Sequence, residues 1–361
     1  MKSKLLGFIL VTAIMSTLPI FTGCAADEPP ATDPDEVIEL QFATFWPGTD
    51  FQVTEGHEVW ARDLEERTDG KVKITIQPGE ALLGATEIYE GVVDGSADIG
   101  TTCPAYTPGI FPVTEAFELP GYQNDNALVA SLTVNEGYKT LKEKELIDEY
   151  DDVKVLFFWA TGPGDIMTRE EPGNTLEAIE EKEMRVVGGT VTPMQALGVT
   201  PVSMPMSESY LALDSALLDG ILAPTDTLKG FRLAEVLDYV TKTPFLYNIV
   251  FMKVMNLETW NALPTDIQET IEEMSKEYAY EYGKLRTEHT ERGLEFGIEE
   301  HGIEVFELDP GEEERWRGRI EPIVENWIGD AEARGLHGEE IINTVRELDA
   351  RFSEEYGDYE G

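Results

Sequence analysis

The stretch MRVVGGTVTPMQALGVTPVSMPMSESYLALDSALLDGILAP, residues Met184–Pro224, decides the fold. It sets Arg185 at the end of a short apolar run. Thr192 and Pro193 form an N-cap and first-turn pair, and Gly198 ends that helix. Ser207 opens a second helix, which closes at Asp219-Gly220 before the apolar strand Ile221–Ala223. Strand, helix, strand, helix, strand is the grammar of a small parallel sheet whose strand ends face a crevice. An arginine at such an end suits a carboxylate, because its planar fork donates two parallel hydrogen bonds. Spacing alone leaves open a surface arginine among Glu180, Glu181 and Glu183.

Outward from this stretch, the first half carries a similar unit. Thr86 caps a helix that ends at Asp94-Gly95, and the strand Ala97–Thr101 follows. Glu87-x-Tyr89 leading to Asp94-Gly95 parallels Glu208-x-Tyr210 leading to Asp219-Gly220. One explanation is two lobes of similar parts facing each other across a cleft; the other is coincidence. Val37–Thr44 and Lys71–Gln77 alternate as strands around an amphipathic helix, Phe51–Arg67. Val153–Trp159 reads as a buried strand, Ala160–Gly164 as a crossover, and Leu246–Val254 as a strand running back. Thr265 with Gln268 fits a capping box for a helix reaching about Glu300, roughly 50 Å long and able to brace both lobes. Asp309-Pro310 starts a further helical tail.

The ends and the composition bound the rest. Lys2 and Lys4 precede a mostly apolar run, Leu5–Ile20, which marks residues 1–23 as a signal peptide. Phe21-Thr22-Gly23-Cys24 resembles a bacterial lipobox, with Phe21 where leucine is usual. That rule places lipid on Cys24, and the Pro- and acid-rich residues 24–36 become a tether. The alternative is an ordinary secretory leader with an incidental cysteine. Cys103 then lacks a partner, so no disulfide framework is expected. The formal charge of -44 excludes nucleic acid as an expected partner. Such a coat suggests a saline setting, where roughly 1 M salt shortens the screening length to about 3 Å. Stability that is equal at low and molar salt would sink that idea. Residues 37–160 with 250–290 are assigned to one lobe. Residues 161–249 with 291–361 are assigned to the other lobe and the C-terminal helices.

Several segments then agree, in order, with one family. LQFATFWPG, GKVKITIQPGEALLG, EGVVDGSADIG, PGIFPVTEAFELPG, MRVVGG, ALGVTPVSMPMSESYLAL, LLDG and NLETWNALP together resemble the solute-binding proteins of tripartite ATP-independent periplasmic (TRAP) transporters, dicarboxylate-binding type. The resemblance runs from about Glu39 through the long helix. It implies an α/β, two-lobed periplasmic-binding-protein-like fold of type II, each lobe a mixed sheet flanked by helices, with a long bracing helix. It implies capture of an organic acid by cleft closure and delivery to TRAP membrane permease subunits. It also implies that Arg185 pairs with the substrate carboxylate.

Two departures shape the expected ligand. Ala223 stands where the family often has asparagine, and Thr161-Gly162-Pro163-Gly164 stands where many members carry a second arginine or polar group. Aromatic residues crowd the expected strand ends: Phe45, Trp46, Tyr106, Trp159, Tyr210, Phe245 and Tyr247, with Tyr210 and Phe245 expected in the core. One charged anchor with aromatic walls suits a monocarboxylate with an apolar or aromatic body. Gly162 and Gly164 are candidates for close backbone approach, and Thr44, Thr101, Thr102 and Thr225 for hydroxyl contacts. Glu208 and Asp226 are candidates for a bridging cation, although a helix cap for Glu208 and a solvent-facing Asp226 are the simpler readings. No cofactor or metal site is expected. No nucleophile sits beside a histidine, no HExxH or GxSxG occurs, and the four histidines are expected away from the cleft, so an enzyme is the weaker alternative. The receptor of an ATP-driven importer shares the two-lobed plan but not the motif set.

Overall fold

The computed structural model describes residues 37–122 and 126–359. The leader, Cys24 and the tether lie outside the described residues. The chain begins with β1 (Ile38–Thr44), α1 (Glu58–Arg67), β2 (Val72–Gln77), α2 (Ile88–Val93), β3 (Ile99–Thr102), α3 (Ala127–Glu143) and β4 (Val153–Ala160). The middle holds β5 (Asp165–Thr168), α4 (Leu176–Ile179), β6 (Glu183–Val186), α5 (Val191–Ala196), β7 (Thr200–Ser203), α6 (Met206–Asp214), β8 (Gly220–Ala223), α7 (Thr227–Gly230) and β9 (Tyr239–Thr241). Then come β10 (Val250–Asn256), α8 (Leu257–Ala262), α9 (Thr265–His301), β11 (Glu304–Phe306), α10 (Pro310–Ile320), α11 (Pro322–Ala333) and α12 (Gly338–Tyr356).

These strands make two mixed sheets, ordered β2-β1-β3-β10-β4 and β11-β9-β5-β8-β6-β7. In the first, β1 runs parallel to β2 and β3, while β10 is antiparallel to β3 and β4. In the second, β6 runs parallel to β7 and β8, while β5 is antiparallel to β8 and β9. The chain crosses between sheets at residues 161–164 and again between β9 and β10. These segments hold each other: Thr161 N–H donates to Ile249 O at 2.9 Å, and Ile249 N–H donates to Thr161 Oγ1 at 3.0 Å. The strand expected over Leu246–Val254 therefore starts only at Val250, because its first four residues form this crossing.

Helix α9 has 37 residues, about 55 Å at the usual rise. It packs on α3 and β4 beside the first sheet and on α7 beside the second. Glycine makes the approach possible at two points. A Cβ at Gly283 would lie 2.9 Å from Leu128 Cα, and one at Gly293 would lie 2.4 Å from Thr225 O. The expected capping box does not form. Pro264 occupies the N-cap, and Gln268 Nε2 donates instead to Trp260 O at 2.7 Å.

The Met184–Pro224 stretch keeps its strand order but shifts its helix ends. Pro205, not Ser207, precedes α6, which stops at Asp214, before Ala216 takes φ 57°. The Asp-Gly parallel also dissolves. Gly95 (φ 80°) follows a helix end, whereas Gly220 lies inside β8 with no room for a Cβ against Met167 O. Helix α12, assigned with the second lobe, packs on α3.

One core residue defies its strand pattern. Lys253, in the middle of β10, is fully buried, with Nζ 3.9 Å from the Trp60 ring centre and 3.0 Å from Tyr282 Oη. Burial pushes its pKa well down.

Candidate functional site

Arg185 rises from β6, next to Ile221 of β8 in the sheet, and is 1 % exposed. Its Nε donates to Met204 O at 3.1 Å, and Nη2 reaches Tyr106 Oη at 3.4 Å. Nη1 is buried without a hydrogen-bond partner. A buried guanidinium nitrogen left open costs free energy until an acceptor arrives. Tyr106 comes from the loop after β3, and its hydroxyl also accepts from Met206 N–H at 2.9 Å. One phenol therefore ties the first-sheet side to the second at the arginine.

Around Arg185 lies a narrow cavity with room for about one water molecule, lined in part by Phe45, Trp46, Tyr106, Tyr247, Phe251 and Arg286. Phe45 and Trp46 follow β1 and stack on each other at 4.0 Å between ring centres. Phe251, from β10, lies 4.9 Å from Trp46. Burial pushes the phenol pKa values of Tyr106 and Tyr247 up, with Arg185 opposing the rise at both. Cys103 is a buried free thiol on the same lining, and burial raises its pKa too.

The structure brings Arg185, Phe45, Trp46, Tyr106 and Tyr247 together at this cavity. Other expected residues sit nearby in different roles. Trp159 is fully buried behind the wall, stacked on Phe251 at 5.6 Å. Gly164 makes room for the Tyr247 ring, which a Cβ there would meet at 2.4 Å. Thr225 Oγ1 is engaged with Thr290 O on α9 at 2.7 Å, and Ala223 is buried in β8 opposite Asp165. Glu208 is exposed on α6 and caps nothing. Thr44 and Thr101 bond each other at 2.9 Å, and Thr102 bonds Ala85 O. Tyr210 is half-buried near the cleft mouth, its hydroxyl on Glu235, and Phe245 carries Arg317 over its ring. Among the described residues there is no cluster of three or more His, Cys, Asp or Glu side chains fit to hold a metal ion.

Three charged residues lie beside the cavity, and one of them, Asp226, differs from the sequence reading. Asp226 is 4 % exposed, not solvent-facing, and its Oδ2 lies 2.9 Å from Arg286 Nη2 on α9. That pair is close enough for an ion pair, but Oδ2 makes no hydrogen bond of good geometry. Asp50, from the loop after β1, is buried beside them and accepts from Gln52 N–H at 2.8 Å. Burial pushes the Asp50 pKa up to about 7 and that of Asp226 to about 6, with Arg286 opposing both. Histidines also approach the cleft. His289 stacks on Phe51 at 4.0 Å and lines the mouth with Asp50, and His57 lies 5.6 Å from Trp46. The signal for Arg286 was weak: one arginine within a long helix full of charges reads as a solvated face.

Two mixed sheets joined by paired crossings, with a buried open arginine between them, define an extracytoplasmic solute-binding protein. Residues 42–330 match the family described as bacterial extracellular solute-binding protein, family 7, and the chain belongs to that family. A TRAP periplasmic solute-binding protein from Desulfovibrio salexigens, in an open complex, is 33% identical, with 90% of this chain and 98% of that one covered and a TM-score of 0.75. A marine metagenome TRAP solute-binding protein described as specific for aromatic acid ligands, in complex with metahydroxyphenylacetate, is 26% identical, covers 87% and 99%, and has a TM-score of 0.81. A TRAP solute-binding protein from Rhodoferax ferrireducens with copurified benzoate is 25% identical, covers 88% and 99%, and has a TM-score of 0.82. The chain is a TRAP-type solute-binding protein.

Proposed function

We propose that the ligand is a monocarboxylate with an aromatic body. The observation that carries this is the open Nη1 of Arg185 inside a wall of Phe45, Trp46, Tyr106, Tyr247 and Phe251. The carboxylate takes Nη1 as its hydrogen-bond donor, and the ring packs on the aromatic wall once the cleft has opened to admit it, where aromatic surfaces gain from offset or edge contacts. The relatives crystallised with benzoate and metahydroxyphenylacetate support this class. Tyr106, bonded to Arg185 and to Met206 N–H, couples ligand capture to closure of the cleft, because it is a contact available only when the two sides meet.

In this reading residues 37–160 with 250–290 form one lobe, against which α12 returns to pack on α3, and residues 161–249 with the rest of 291–361 form the other. Cys24 carries a lipid that tethers the protein to the membrane beside its permease. Isothermal titration with benzoate, phenylacetate and succinate tests the ligand class, with tighter binding of the aromatic acids expected. Preference for succinate overturns it. Metabolic labelling with a fatty acid tests the anchor, and label retained in a Cys24→Ser variant removes it.

A further inference from the structure

Arg286 has no role in that reading, yet it is built like a site. It is 3 % exposed, with its guanidinium carbon 5.0 Å from the ring centre of Phe251 and 6.0 Å from that of Phe51. Nη2 faces Asp226 Oδ2 at 2.9 Å, while Nε and Nη1 are buried without hydrogen-bond partners. Asp226 Oδ2 likewise makes no hydrogen bond. Two open donors on Arg286, which lines the cavity that holds Arg185, therefore stand beside one open acceptor on Asp226, which lines the adjoining cleft mouth. Tyr247 stands within electrostatic reach of both arginines.

A hydroxyl is the smallest ligand group that answers this set, since it accepts one hydrogen bond and donates another. A second carboxylate answers it badly. It accepts only, and Asp226 already neutralises Arg286, so a second negative charge would be buried without an uncompensated partner. Asp50, beside the pair, adds to the opposition once it is ionised.

We propose that the Arg286–Asp226 pair is a specificity-determining element that selects hydroxylated monocarboxylates and excludes dicarboxylates. The inference rests on the Arg185-anchored aromatic acid reading and names the second group of that ligand.

The test is calorimetry at about pH 8, where Asp226 is ionised. The probes are benzoate and phenylacetate, their ring-hydroxylated forms, and the benzene dicarboxylates. On the unmodified protein, the best hydroxylated isomer is expected to bind at least about tenfold tighter than its parent acid, and every dicarboxylate at least about tenfold weaker. Asp226→Asn is expected to improve dicarboxylate binding relative to the monoacids by at least about tenfold. Arg286→Gln is expected to erase the gain from the hydroxyl, which a residue that merely braces the fold would not do selectively. The double variant Asp226→Asn, Arg286→Gln removes both charges of the pair together, so it reports on hydroxyl preference if a single variant fails to fold.

Parent acids that bind without any hydroxyl preference overturn the inference and leave the Arg185 reading standing. So does an Arg286→Gln variant that weakens every probe by the same factor. If no aromatic monoacid binds, the ligand class itself falls and takes the inference with it.

Discussion

The two sheets share one plan: β2-β1-β3-β10-β4 maps onto β7-β6-β8-β5-β9, with the same pattern of parallel and antiparallel neighbours. The match extends to detail. Asp98, just before β3, donates its N–H to Gln41 O and accepts the Gln41 N–H on Oδ2 at 2.7 Å. Asp219, just before β8, does the same with Glu183 at 2.9 Å. Counting from these aspartates, Ala43 on β1 and Arg185 on β6 occupy equivalent places. The plan is common and the chemistry is divided. The first sheet gives the cavity Phe45, Trp46 and Phe251, and the second gives it Arg185. Where the first sheet has the small buried Ala43, the second has a long cation in the matching place.

The largest break in this comparison is expected from Arg185→Ala, which removes the only charged group the second sheet contributes to the lining. Affinity for an aromatic acid should fall at least about 100-fold, equivalent to about 2.7 kcal/mol. The apo melting temperature should hold, since the variant also removes an unmet buried donor. Calorimetry that still detects the acid at near its original affinity would contradict the anchor. On the aromatic side, Trp46→Ala should cost the fold about 3–5 kcal/mol, measured by urea unfolding, because Trp46 is 2 % exposed and packed on Phe45, Phe251 and Trp159. A loss under about 1 kcal/mol would mean that the wall can collapse around the gap.

The paired aspartates give a finer comparison. Asp98→Ala should cost about 1.5–3 kcal/mol, because that carboxylate also accepts from Thr259 Oγ1 at 2.9 Å. Asp219→Ala, at an exposed bond, should cost under about 1 kcal/mol. Equal losses would show that position in the sheet matters more than the extra partner.

The smallest effect expected concerns pH. Asp50 has its pKa raised from 3.8 to about 7, so the folded protein holds a proton there that the unfolded chain releases. The stability this confers is present below about pH 4 and is lost as pH rises through about 7. Burial of Glu118, whose pKa is pushed up to about 8, acts in the same direction. Asp50→Asn should therefore raise the melting temperature by a few degrees at about pH 8 and less at about pH 5. A larger gain at the lower pH would reverse the assignment.

The sequence carried the sheets well, because alternation in VKITIQ and the apolar run VKVLFFWA each admit one reading. It misled where a local signal had two uses. Asp94-Gly95 and Asp219-Gly220 look alike, yet the true counterpart of Asp219 is Asp98, which has Ile99 after it. Arg185 was legible through the ordered motifs around it, because spacing alone left a surface arginine open. Arg286, Asp226 and Asp50 were not, because three elements distant in the chain bury them together, and no one-dimensional pattern records that meeting. His57 and His289 escaped for the same reason.

Helix α9 has a mechanical consequence. Its glycines at 283 and 293 touch opposite sides of the cleft, about 15 Å apart along one continuous rod. A rod seated on both halves cannot stay indifferent when they part: it must slide over Leu128, lift from Thr225, or bend between the two seats. The outer back of the molecule is thereby geared to the ligand. A distance probe pair spanning the rod's exposed end and either sheet would read the state of the cleft without entering it.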